Sequence, residues 1–583
     1  MPLPARLHSE LRAQAARLLL LLATVGSCGP TNSSALTRNR AAPPAQSARS
    51  AIELDVTSAS AAITAEFLRT QVAQLSADQF EGRGPGTRGD RTTRAYLAAQ
   101  LASLGVAPGS GAGNWEQPVE LVGLKAHLPS TWLFERGARR VSLALWDQYI
   151  AGSGVQSARA DIDHAELVFV GYGIEAPEYG WDDFKGKSVK GKVLLVLNND
   201  PDWDPALFAG KTRLYYGRWT YKYENAARHG AAGAIIVHTT PSAGYPYQVV
   251  QSSWGGEQFA LPTSGPTSLQ VKAWVTEEAA NSLVALSGQS LEQLQQLARS
   301  RAFAPVDLGI STSLHFDNQL ERVQTANLIG KIAGSDPRLS DEYVVLSAHH
   351  DHLGIGKPDA TGDAIYNGAL DNGAGVAQVL AIVKAIQSLK TRPRRSFFVL
   401  FPAAEEAGLL GSQYFTEHPP VAAGKLAANL NYDGGNIWGR SRDITQLGKG
   451  KSSLDAVVAR VAASLDRKIV GDQFPDRGSF YRSDQFNFAK IGVPALYLKT
   501  GTDFIGRPAD WGKQQVLAFE AKRYHQPSDQ LTPDWNFDGM VDDAHFGFLA
   551  VLEIANADRA PSWTSGDEFE AARRVALDAL SQK

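Results

Sequence analysis

Three apolar runs in the second half of this chain each end in an acidic or imidazole side chain, and this pattern is what most restricts the fold. Glu342-Tyr343-Val344-Val345-Leu346-Ser347-Ala348 is apolar and β-branched enough to be a buried strand, and His349 follows it. Arg395-Ser396-Phe397-Phe398-Val399-Leu400-Phe401 reads the same way, with Glu405-Glu406 a turn later and a helix expected to open over Ala407-Gly408-Leu409-Leu410-Gly411. Leu426-Ala427-Ala428-Asn429-Leu430-Asn431-Tyr432 is a third candidate strand, closed by Asp433-Gly434-Gly435. Asp371 stands just before Asn372-Gly373-Ala374-Gly375 and a helical run, Val376 to Leu389, apolar on one face. Such an order predicts an open α/β sheet, in which ligands and reactions lie at the carboxyl edge of the strands.

Each of these residues has an ordinary reading when taken alone. A single Asp before a helix is commonly an N-cap, and a Glu-Glu pair commonly lies on a solvated face. His350 and His352 read as hydrogen-bonded rim or core histidines. The set changes the balance, because His-x-Asp, Asp-Asn-Gly, Glu-Glu, Asp-Gly and Tyr-His motifs follow one another at successive sheet edges. Two imidazoles, several carboxylates and no thiol describe a site for one or two zinc ions, and the same ligand types also admit manganese or cobalt.

The motifs Ala348-His349-His350-Asp351-His352-Leu353-Gly354, Gly368-Ala369-Leu370-Asp371-Asn372-Gly373-Ala374-Gly375, Ala404-Glu405-Glu406-Ala407-Gly408-Leu409-Leu410-Gly411-Ser412, Asn431-Tyr432-Asp433 and Tyr524-His525-Gln526-Pro527-Ser528-Asp529 resemble those of the co-catalytic di-zinc exopeptidases. That family includes bacterial leucyl aminopeptidases, glutamate carboxypeptidase and glutaminyl cyclase, plus the transferrin receptor, which has lost catalysis. The resemblance covers roughly residues 60 to 125 and 320 to 555. It implies a mixed α/β sheet with helices on both faces and two zinc ions per chain. By the same resemblance His349 and Asp433 bind one zinc, Glu406 and His525 bind the other, and Asp371 bridges them. Glu405 is then the general base, Tyr524 a donor to the developing oxyanion, and Asp351 the residue that orients His349, with Asp529 a further support behind the ligands. The family also implies a cis peptide after Asp371.

The activity expected on this basis is that of an aminopeptidase acting on peptides. A carboxypeptidase or dipeptidase would share every zinc ligand and differ in pocket charge, for which Arg477, Arg482 and Arg507 are the candidates. A glutaminyl cyclase would use one zinc, and a non-catalytic binding lipoprotein would have lost ligands that this chain keeps.

Residues 126 to 315 interrupt the pattern. Val168-Phe169-Val170-Gly171-Tyr172-Gly173, Gly191-Lys192-Val193-Leu194-Leu195-Val196-Leu197 and the stretch Ala226 to Val237 resemble a protease-associated domain, a smaller β-rich α/β insert. Its Trp203, Tyr215, Tyr216, Trp219 and Tyr221 suit either a lid over the substrate or an aromatic core, and His164, His229 and His238 read as surface or packing residues. The expected division is therefore a first peptidase segment over 61 to 125, the insert over 126 to 315, the remainder of the peptidase over 316 to 560 and a helical tail over 561 to 583.

At the N-terminus, Arg6, Arg12 and Arg17 precede the apolar run Leu18 to Val25, too short to span a bilayer and suited to a signal peptide over residues 1 to 27. Val25-Gly26-Ser27-Cys28 resembles a bacterial lipobox, and Cys28 is the only cysteine of the chain. The expectation is a lipid on Cys28, a flexible tether over 28 to 60, and a cell-envelope address at the outer membrane facing the periplasm, with secretion as the alternative. With no second cysteine, stability rests on burial and metal, which 583 residues at 44% hydrophobic content can supply. A net charge of -3 with no basic stripe excludes electrostatic nucleic-acid binding.

Overall fold

Parallel strands buried on both faces need no polar alternation, and the runs read as apolar form such strands. In the computed structural model, which describes residues 55–111, 113–263 and 269–581, Tyr343–Ser347 lies between Ser396–Phe401 and Leu426–Asn431, parallel to both. Ala495–Thr500 extends this parallel set beside Leu426–Asn431, and Asp443–Leu447 adds an antiparallel strand beyond it. On the other side Leu328–Ile332 pairs antiparallel with Ser396–Phe401, so the sheet is mixed, as expected. The proposed signal segment, Cys28 and most of the proposed tether lie outside the described residues.

The helix expected over Val376 to Leu389 runs from Gly375 to Ser388 and is buried almost all round, not on one face. It lies between the sheet and the helices Ala65–Leu75 and Asp538–Asn556, so Val376, Val379, Leu380, Ile382 and Val383 all join one core. Helix Arg88–Ser103 starts where the Thr87 hydroxyl caps it by accepting from the Asp90 N–H at 3.3 Å. The tail helix spans Glu570–Ser581.

The insert carries cores of its own. Val193–Leu197, Gly233–His238 and Val271–Thr276 are parallel neighbours, with Tyr149–Ser153 antiparallel at one edge. The join to the peptidase is a ribbon, not a linker. Strand Val306–Ile332 is continuous through both parts, pairing first with Arg159–Phe169 and then, from Asp317 to Leu328, with Glu116–His127. The division points read at 125/126 and 315/316 fall inside these two strands.

One buried side chain of the segment 61–125 gathers the loops at the sheet edge. Arg83 is 1% exposed, and its guanidinium donates to the carbonyl oxygens of Leu75 (2.7 Å), His350 (2.9 Å), Asn367 (2.6 Å), Gly368 (2.8 Å) and Asp371 (3.5 Å). Truncating it leaves buried carbonyls without donors. Arg83→Met is expected to lose about 3 kcal/mol or more of stability, read as a lowered urea midpoint; an unchanged midpoint would mean that the loops hold without this guanidinium.

Candidate metal centre

Because Tyr343–Ser347, Ser396–Phe401 and Leu426–Asn431 run in parallel, their carboxyl ends share one edge, and the residues that follow them meet there. His349, Glu405 with Glu406, and Asp433 arrive from the three strand ends. Asp371 arrives from the turn before the buried helix, where the Asp371–Asn372 peptide is cis. His525 arrives from the loop after helix Trp511–Lys522. His349, Asp371, Glu405 and His525 are each buried, and Glu406 and Asp433 are half-buried.

Asp371 stands between the two imidazoles. Its Oδ1 is 3.4 Å from His349 Nε2 and its Oδ2 is 3.2 Å from His525 Nε2. Glu406 Oε2 is 3.0 Å from His525 Nε2, while Asp433 Oδ1 and Glu405 Oε2 are each 3.9 Å from His349 Nε2. Donor atoms of His349, Asp371 and Glu406 lie within 4.8 Å of one another, and so do those of His349, Glu405 and Asp433. Two donors on one tetrahedral zinc, with bonds of about 2.0–2.1 Å, stand roughly 3.4 Å apart, close to the shorter of these separations. Both Nε2 atoms are buried without a hydrogen-bond partner. A mixed nitrogen and oxygen set converging on two unpaired imidazole nitrogens fits divalent zinc.

Charge is the main feature of the site. Burial pushes the Glu405 carboxyl well above the usual range, and Asp433 and Glu406 beside it add to the shift. Against burial, His525 and His352 hold Glu406 down to about 2, and His349 and His525 hold Asp371 well below the usual carboxylate range. In return Glu406 and Asp371 overcome burial and raise the His525 imidazole to about 10. Burial also raises two carboxyls behind the site, Asp484 to about 7 and Asp529 to about 6.

The supports differ in part from those read in the sequence. The Asp351 carboxylate accepts from the main-chain N–H groups of Glu405 (3.0 Å) and Glu406 (3.3 Å), and faces His349 Nδ1 only at 3.7 Å. The nearer partner of His349 Nδ1 is the Asp351 carbonyl oxygen, at 3.3 Å. Asp529 accepts from the N–H groups of Leu370 and Asp371, each at 3.0 Å, and so holds the turn that carries Asp371. His352, read as an ordinary rim or core histidine, has Nδ1 2.6 Å from Glu406 Oε1. His350 is a core histidine between Asp90 and the Phe401 carbonyl. Tyr524 lies over His525 at 3.9 Å between rings and lines the same cavity as Asp371, Glu405 and Asp433.

Of the three arginines considered for pocket charge, Arg477 pairs with Glu520, Arg507 lies over Trp511, and Arg482 lines the cavity with Tyr524 Oη at 3.4 Å. Sequence reasoning missed Tyr497, which donates to Asp433 Oδ2 at 3.2 Å from the strand beside it, and Asp484, buried before a short helix. It also missed Ser253 of the insert, whose Oγ is 2.7 Å from His525 Nδ1. Among the insert aromatics, Tyr215 reaches out of the insert and packs on Phe486 at 4.9 Å, whereas Tyr216 and Tyr221 pack edge-to-face within the insert at 5.0 Å.

Residues 327–556 match peptidase family M28, and residues 164–273 match the PA domain. Residues 327–556 are a peptidase family M28 domain. The insert that precedes it in this chain carries a PA domain. Among curated proteins, the chain is 28% identical over 290 residues to a "probable leucine aminopeptidase 2" of Aspergillus oryzae, covering 47% of this chain and 52% of that one. It is 26% identical over 388 residues to a "Probable leucine aminopeptidase 2" of Aspergillus fumigatus, covering 62% of this chain and 66% of that one. The chain thus spans between half and two thirds of the length of these relatives. The fold is shared with "Aminopeptidase from Aneurinibacillus sp. strain AM-1", at a TM-score of 0.51 and 17% identity over 86% of this chain and 96% of that one.

With Glu406 and Asp371 raising the His525 imidazole to about 10, a cation must displace a proton to reach Nε2 at neutral pH. Zinc uptake is therefore expected to release protons and to strengthen as pH rises toward that value. Titration calorimetry in buffers of different ionisation enthalpy measures the release, and uptake without protons would contradict a His525 imidazolium held between Asp371 and Glu406.

Proposed function

We propose that this chain is a zinc-dependent aminopeptidase that removes N-terminal residues from peptides. The observation that carries the reading is Asp371 between His349 and His525, 3.4 and 3.2 Å from their Nε2 atoms, on a cavity that Glu405 also lines. The names of the curated relatives, both leucine aminopeptidases, support the same activity class. On this reading His349 and Asp433 would hold one zinc and Glu406 and His525 a second, with Asp371 standing between the two imidazoles. Bound zinc supplies Lewis acidity at the scissile carbonyl and makes water easier to deprotonate at neutral pH.

The chain's own residues do the rest. Glu405 takes a proton from the attacking water and returns it to the departing amine. Its carboxyl suits a proton shuttle because burial raises it well above the usual carboxylate range, against the opposing charge of His349. Asp351 fixes that carboxylate in place through the Glu405 and Glu406 N–H groups. Tyr497 holds Asp433, His352 holds Glu406, and Tyr524, which lines the cavity with its hydroxyl oxygen 3.4 Å from the Arg482 guanidinium, is the donor to the oxyanion. The anchor at Cys28 and the periplasmic address belong to the same proposal and rest on the sequence. A Cys28→Ser chain that partitions into membranes like the wild type would remove the anchor.

Two measurements test the activity. Hydrolysis of a matched peptide set should require a free N-terminus and tolerate an amidated C-terminus, with about two metals bound per chain. A requirement for the free carboxylate would transfer the activity to carboxypeptidase chemistry. Glu405→Gln is expected to keep its zinc and lose about 10²- to 10⁴-fold in kcat. Near-normal turnover in that variant, with metal content confirmed, would take the base role from Glu405.

A further inference from the structure

The two ligand histidines are oriented from different parts of the molecule. His349 Nδ1 faces Asp351, its close neighbour in sequence. His525 Nδ1 faces Ser253 Oγ at 2.7 Å, across 272 residues and from the inserted domain. Ser253 sits near the end of helix Tyr247–Trp254, and the insert fixes that helix firmly. Val249 and Val250 are buried, Gln251 donates to the Trp146 carbonyl at 2.9 Å, and Trp254 packs edge-on against Trp219 at 5.1 Å. The Ser253 carbonyl accepts from Gln258 at 3.1 Å, which leaves the hydroxyl for His525.

The chemistry of the pair follows from the ring. An imidazole that offers its Nε2 lone pair to a cation carries its proton on Nδ1, and the acceptor at Nδ1 sets both the tautomer and the ring orientation. Here that acceptor is the Ser253 hydroxyl oxygen. His525 has a positive φ of 56° and Tyr524 lies against one face of its ring, so its placement depends on contacts beyond its own loop.

We propose that the inserted domain completes the metal centre: Ser253 is a positioning residue for His525, and docking of the insert is thermodynamically linked to metal binding at His525 and Glu406. This rests on the reading that these residues hold zinc. Linkage is reciprocal, so the insert that tightens metal binding is itself held more tightly when metal is bound.

The test uses the full chain, wild type and the variants Ser253→Ala and Ser253→Thr, stripped of metal and titrated with zinc against a chromophoric chelator. The wild type should bind two equivalents. Ser253→Ala should weaken one of them by about 10- to 100-fold and spare the other, while Ser253→Thr, which keeps the hydroxyl, should stay within about threefold of wild type. Hydrogen exchange of the Tyr247–Trp254 amides should slow on zinc addition in the wild type and not in Ser253→Ala. Wild-type affinity for both equivalents in Ser253→Ala would overturn the proposal, and so would an exchange rate in the wild type that ignores zinc. Failure of the wild type to take up zinc at all would overturn the metal reading first and this one with it.

Discussion

Everything at this site depends on keeping several carboxylates buried side by side. Asp371, Glu405, Glu406 and Asp433 converge within a few ångströms, with Asp351, Asp484 and Asp529 directly behind them. Burial lifts the Glu405 carboxyl, with Asp433 and Glu406 adding to the rise, while His349 and His525 hold Asp371 down. The fold offsets this with imidazoles, with main-chain N–H groups turned toward Asp351 and Asp529, and with the Arg83 guanidinium, whose charge is felt by four of these carboxylates. A site so prepared has a standing preference for cations. The same excess of negative charge explains why a metal, not a further salt bridge, suits its centre.

The way the insert is attached determines what it can contribute. A flexible linker would let the inserted domain reach the site only part of the time. Here strand Val306–Ile332 passes unbroken from one sheet into the other beside Glu116–His127, so the insert is held through a paired ribbon. Tyr215 on Phe486 gives a second, apolar contact. A hydroxyl 2.7 Å from the His525 imidazole can orient it only if its backbone is held in place, and the ribbon and the Tyr215 contact both hold the insert there. The insert aromatics divide accordingly, Tyr216 and Tyr221 into the insert's own packing and Tyr215 into the joint.

Legibility in the sequence followed the range of the interaction. His349 and Asp433 could be found because each closes an apolar run, and Asp371 because it opens a turn before a helix. The buried helix Gly375–Ser388 was misread as one-sided because its second partner, Asp538–Asn556, lies far along the chain. His352 looked ordinary because nothing near it in sequence says that Glu406 will be 2.6 Å away. Asp351 was legible as a support, but its main carboxylate partners are the Glu405 and Glu406 amides, which only the turn after Ser396–Phe401 brings to it. Arg83, Tyr497 and Ser253 carried no local signal at all.

The sequence by itself determined the class of the sheet and the candidate ligands, because strand periodicity and strand-end chemistry are local properties that a linear pattern records. It also placed an insert between two parts of one domain. Only the tertiary structure decided which nitrogen of each histidine is free, which residue holds it, and that one of those holders belongs to the insert. Those facts depend on contacts between residues hundreds of positions apart, where a shift of about one ångström separates a hydrogen bond from none.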